Sequence, residues 1–182
     1  MKSFQSGRLA AVAIIAATIL GATPAAQAAV SGDFNVTVSV SSLCTLTTVG
    51  TPSLDFGSYT AFGSASIPAP TAQLTFDCTR GLTAPTMALD TTNGTSTATG
   101  AVGGAAATGD GVLPVVGLNY HLSVSGSKTG TGVAPTTAFG DIGTADTYTF
   151  TVTGSMPNGQ AGTCTTGTCG PDTQLRTLTV TY

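Results

Sequence analysis

Charged and catalytic side chains are scarce in this chain. Glutamate and tryptophan are absent, histidine occurs once, at His121, and only five basic and eight acidic residues serve 182 positions. Each shortage excludes something. A single His, with isolated Asp residues as the only acids, leaves no pair suited to general acid–base work and no oriented nucleophile. By strand alternation His121 lies opposite Leu118, Tyr120 and Leu122, so it reads as a solvent-facing residue. Asp141 and Asp146 could meet across a loop, but a solvated loop is the simpler reading. No G-x-S-x-G elbow occurs, and the glycine clusters at 100–111 and 126–132 follow no phosphate- or dinucleotide-binding spacing and lead into no helix. No cofactor is implied. Basic residues never cluster, so there is no electrostatic footprint for nucleic acid. The expectation is a protein that is not an enzyme.

What is present is apolar and hydroxyl-rich. Hydrophobic residues make up 41% and charged ones 7%, which is not the composition of a disordered chain. Thr and Val favour strands and Gly supplies turns, so an all-β domain is expected. The first residues read as an export signal. Lys2 and Arg8 precede an uncharged apolar run over 9–22, and Ala26-Gln27-Ala28 matches a small-x-small cleavage site. The run is short for a bilayer span, so a cleaved signal over 1–28 is preferred to an anchor. Its removal leaves Arg80, Lys128 and Arg176 against eight Asp, a formal charge of −5.

Four cysteines, Cys44, Cys78, Cys164 and Cys169, suit an oxidising compartment. Three pairings are possible. A local Cys164–Cys169 loop is the economical choice and leaves Cys44 with Cys78. In the chain-entropy model the long loop contributes roughly 3.5–4 kcal/mol and the short one about 2. A zinc site is disfavoured, because C-x4-C spacing without a second close pair is not a usual ligand set.

Strand periodicity runs through the chain. The stretch DFNVTVSVSSLC alternates Phe34, Val36, Val38 and Val40 with Asn35, Thr37, Ser39 and Ser41, an amphipathic strand without an evident partner. Further apolar alternation appears at 73–78, 86–90, 118–124, 146–153 and 174–182, where Leu178, Val180 and Tyr182 share a face with Arg176 at the exposed start. A short apolar-aromatic element, LDFGSY, covers 54–59. About six strands follow Cys44, which argues a β-sandwich. The low-complexity stretch 91–111 has no large side chain and reads as a long loop or a hairpin of weakly specified register. Phe139, in the Gly- and Thr-rich connection 128–143, is a candidate anchor to the core. Asn35 and Asn93 head glycosylation sequons, matches that arise readily by chance in a Thr-rich chain.

In order, FNVTVSVSSLCTL, LDFGSY, the DCTRG around Cys78, LNYHL at 118–122 and the terminal TLTVTY resemble the spore coat protein U-like family, pilin subunits of archaic chaperone–usher pili in Gram-negative bacteria. The likeness spans about 34–182. It implies an incomplete immunoglobulin-like sandwich of six strands, completed by a strand donated from a neighbouring subunit. Residues 29–43 would then be the donor extension and 44–182 the pilin domain. Phe34, Val36, Val38 and Val40 take the donor role, Leu178, Val180 and Tyr182 border the acceptor groove, and the family's first disulfide maps onto Cys44 and Cys78. The implied partners are further copies or related pilins, a periplasmic chaperone and an outer-membrane usher. The implied product is an extracellular surface fibre serving adhesion and biofilm formation. The Cys164–Cys169 loop departs from the family pattern, and the stretch 91–111 looks expanded. A monomeric exported sandwich that binds a glycan or surface ligand is the alternative, weakened by the lack of Trp.

Overall fold

A computed structural model describes residues 34–65, 67–167 and 169–182. The expected signal segment, and residues 29–33 of the extension, lie outside the described residues. The chain divides into two compact units, Met1–Val38 and Ser39–Tyr182.

The second unit is all-β. Its described residues form β1 (Cys44–Leu46), β2 (Thr71–Cys78), β3 (Thr86–Leu89), β4 (Gly100–Ala101), β5 (Ala107–Val112), β6 (Asn119–Gly130), β7 (Asp146–Ser155) and β8 (Leu178–Thr181). They make a five-stranded sheet of order β1-β2-β7-β6-β5 and a three-stranded sheet of order β4-β3-β8. Every ladder is antiparallel. This is a sandwich-like fold of the immunoglobulin kind.

Two-residue alternation sorts the side chains. Along β7, Tyr148, Phe150 and Val152 point inward and are buried, while the intervening Thr residues stay partly exposed. On β6, Tyr120, Leu122 and Val124 do the same and meet β7 in register, Val124 opposite Val152. On β2, Leu74 stands opposite Phe150 and Phe76 opposite Tyr148. The Phe76 and Phe150 rings meet edge to face at 5.4 Å, a favoured aromatic geometry. Met87 and Leu89 of β3 close the core from the second sheet.

One expectation is narrowed and another needs correction. The stretch 91–111 takes the hairpin form and not that of a loose loop: Ala98 pairs antiparallel with Thr108, the stretch contributes β4 and most of β5, and Ala107 is fully buried. Small residues are what allow this. A Cβ on Gly111 would lie 2.2 Å from the Tyr120 ring, and one on Gly109 would lie 2.2 Å from the Thr95 carbonyl oxygen. The glycines let β5 sit against bulky neighbours, and that close approach fixes its register. Phe139, in turn, is no anchor: its side chain stands fully in solvent. The LDFGSY element forms no strand, yet Leu54, Phe56 and Tyr59 are half-buried against the core.

Both expected disulfides are present, Cys44–Cys78 and Cys164–Cys169, the bonding of an oxidising compartment. The first joins β1 to β2 at directly opposed positions.

Candidate functional site

The last strand has one neighbour. Among the described residues β8 pairs only with β3, and its other edge is unpaired. Pairing parity determines what that edge displays. The Asp90 N–H donates to the Thr177 carbonyl at 2.9 Å, and the Asn93 side chain donates to the Leu175 carbonyl at 3.0 Å. Odd-numbered residues therefore direct their main-chain groups toward β3, and the even-numbered Leu178, Val180 and Tyr182 direct theirs outward. The same alternation turns the Leu178 and Val180 side chains to the core, where both are half-buried, while Tyr182 is about half exposed. The edge thus offers free backbone groups beside incompletely covered apolar side chains.

The facing sheet shows the same incompleteness. Its inner face is buried along β7 and β6 but only partly covered at Leu74 and Phe76 of β2, and Leu46 of β1 is exposed. Strand β2 lies between two neighbours in the sheet, so the exposure of its inner face comes from above. The upper sheet has three strands against five below, and Leu54, Phe56 and Ile67 from outside the strands also pack against the core.

The sequence-predicted donor residues are strongly exposed. Phe34, Val36, Val38 and Val40 have 85, 83, 82 and 77% of their surface accessible, and residues 34–43 form no strand. Leu43 is tied to the domain, its N–H donating to Thr79 Oγ1 and its carbonyl accepting from the Thr79 N–H. Four large apolar side chains on one face of an unpaired segment are costly to leave in water.

Two ion pairs with a buried or nearly buried partner brace the domain, one at the start of β8 and one at the start of β7. Arg176 was expected at an exposed strand start, but its side chain is only 8% exposed. Its Nε donates to Asp90 Oδ1 at 2.8 Å, and its terminal nitrogens donate to the Tyr120 hydroxyl and to the carbonyls of Asp90, Thr95 and Asp110. Burial pushes the Asp90 carboxyl up, but hydrogen bonds from Arg176 and from the Thr177 and Asn93 N–H groups outweigh it and leave the pKa at about 2. The alternation that puts Arg176 on the Leu178 and Val180 face was the signal that it points inward. Asp146 begins β7, as the strand expected over 146–153 has it, but it is fully buried rather than solvated. Lys128 Nζ lies 2.8 Å from it, and the Gly132 and Gly81 N–H groups donate at 2.7 and 2.8 Å. The Lys128 bond, then the two backbone donors, hold its carboxyl at about 2. Asp141 does not meet it, and bonds to Thr136 and Gly143 instead.

His121 lies on the half-exposed face expected of it, 2.7 Å from Asp110. Two open depressions lie on the surface, about 360 Å³ along 55–68 and about 480 Å³ beside Tyr120, Gln174 and Asn93. Among the described residues no three His, Cys, Asp or Glu side chains converge as a metal site would require. The chain matches no protein-family model, no curated protein and no solved structure.

Proposed function

We propose that this protein is a structural subunit of an extracellular fibre assembled by donor-strand complementation, exported through the periplasm of a Gram-negative cell and serving surface adhesion and biofilm formation. The observation that carries the reading is the match between two unsatisfied features of one chain. One is an unpaired strand edge with half-covered apolar side chains, at Leu178 and Val180. The other is an unpaired segment bearing Phe34, Val36, Val38 and Val40 in water. In this reading the segment of one copy lies along β8 of the next. Its alternate side chains cover Leu46, Leu74 and Phe76, and its backbone pairs with the outward groups of β8, the mode of strand addition. Burial of four such side chains contributes on the order of 6–12 kcal/mol.

The association is head-to-tail and does not close on itself, so it propagates as a filament. Before assembly the same edge is an aggregation hazard, which is the physical reason for a periplasmic chaperone to cover it and an outer-membrane usher to exchange it. The resemblance to the spore coat protein U-like family supports the same partners.

The test is deletion of residues 29–43 followed by electron microscopy. Filaments from the full-length chain and none from the deleted chain are expected. Abundant normal filaments without the segment would remove the donor role. A stable monomer of the full-length, chaperone-free chain would favour a monomeric binding module instead.

A further inference from the structure

The connection between β6 and β7, residues 131–145, places three large apolar side chains in solvent. Phe139 is 108% and Ile142 91% exposed, and Val133 is exposed beside them. The loop that carries them is internally tied. Val133 and Thr144 bond reciprocally, with the Thr144 N–H on the Val133 carbonyl at 2.9 Å and the Val133 N–H on Thr144 Oγ1 at 2.7 Å. Asp141 accepts from the Thr136 N–H at 2.8 Å and the Gly143 N–H at 3.0 Å. Asp146 anchors the base through the Gly132 N–H. Backbone packing is close: a Cβ on Gly132 would lie 2.3 Å from the Thr144 carbonyl oxygen and one on Gly143 2.4 Å from that of Val133. The only charged side chain in the loop, Asp141, is engaged internally. The loop is thus an apolar knob tied at its base, with the Asp141 carboxylate hydrogen-bonded within it between Phe139 and Ile142.

Its position in the sheet says what meets it. Cys44 is opposite Cys78, and Cys78 is opposite Asp146, the residue that ends the loop. The loop therefore leaves the same end of the sheet as the segment that precedes Cys44, about 10 Å away at two strand spacings. Val40 is four residues from Cys44, at most about 14 Å of extended chain. A copy that takes Val40 into its groove is consequently held against this end of the donor. If the added strand runs antiparallel to β8, as every ladder here does, its C-terminal end emerges where β8 begins. At that end stand two exposed apolar side chains: Val115, whose N–H donates to Asp172 just ahead of β8, and Phe62, whose N–H donates to the carbonyl of Gln160, the residue whose Oε1 accepts from the Asn119 N–H at the start of β6.

We infer that Phe139 and Ile142, with Val133, form a second contact on the next copy of this chain, at the end that bears Phe62 and Val115, and that this contact sets the angle between consecutive subunits. The inference rests on the fibre reading, and the donor strand supplies the linkage while the knob supplies the orientation.

The test compares the unsubstituted chain with one carrying Phe139→Ser and Ile142→Ser, by thermal melting, unheated gels and electron microscopy. An unchanged melting midpoint and an unchanged high-mass ladder are expected, together with fibres that lose their regular inter-subunit angle and bend more, seen as a shorter persistence length. Variant fibres with the same angle and persistence length overturn the second contact and leave the donor strand standing. Absence of fibres from the unsubstituted chain overturns both.

Discussion

Arg176 shows how much one side chain carries at the open edge. Its guanidinium ties the approach to β8 to the carbonyls of Asp90, Thr95 and Asp110 and to the Asp90 carboxylate. A strand with one neighbour lacks the second ladder that would hold it, and this fork supplies part of that support. Replacing Arg176 with Met removes the cation from the Asp90 carboxylate, which keeps only the Thr177 and Asn93 N–H donors, and we expect a loss of about 3 kcal/mol in urea unfolding, the scale for breaking one member of a buried pair. Gly111 offers a residue-scale test of the opposite kind. Its absent side chain makes room for the Tyr120 ring, so Gly111→Val should cost about 1–3 kcal/mol by overpacking, read as a lowered thermal midpoint. The carboxylates set the acid limit. Asp90, Asp141 and Asp146 sit near pKa 2 in the fold against 3.8 for the free side chain. Their unfolded pKa values are the higher ones, so the unfolded state takes up protons first as pH falls. The contribution is whole above about pH 4 and disappears between about 4 and 2. The melting midpoint should fall through that window, and Asp146→Asn should flatten the fall while lowering the plateau above it.

At the scale of elements, long alternating runs were legible and short or glycine-rich ones were not. The strands β2 and β7 and the first half of β6 read directly from residues such as Tyr148, Phe150 and Val152, because a buried face with a period of two leaves a pattern in any sequence, whereas β6 continues to Gly130 through residues read from sequence as part of a connection. Strand β5 did not read, because its inner positions are Ala107, Gly109 and Gly111. Its packing comes from the bulk of Tyr120 and Leu89, which no local window contains. Burial of Asp146 was hidden for a similar reason: its partners Gly81 and Lys128 are distant in sequence. Of the candidate site, the apolar alternation of 34–40 and 178–182 was legible, but that β8 has one neighbour among the described residues was not a pattern in its own residues, since the lack of a neighbour is a property of topology. The four apolar residues of 34–40 make a further prediction at this scale. Val38→Asp should abolish the high-mass ladder on unheated gels and leave the monomer's melting midpoint unchanged, because Val38 packs against nothing in its own chain that would leave it less than four-fifths exposed. A lowered midpoint would mean the segment stabilises its own domain.

At the scale of the whole molecule, the proposal is that one chain supplies both halves of an interface and a fibre satisfies what a monomer leaves exposed. The Cys44–Cys78 bond lies where tension along such a fibre would enter the domain, at the junction between the extension and the sheet. Its replacement by a Ser pair should cost roughly 3.5–4 kcal/mol in the chain-entropy model. The central claim concerns the backbone groups of Leu178 and Val180, and amide hydrogen exchange reads them directly. In assembled full-length protein these two amides should exchange slowly, and in the chain lacking residues 29–43 they should exchange as fast as other unpaired amides. Equal protection of Leu178 and Val180 with and without the segment would contradict the account.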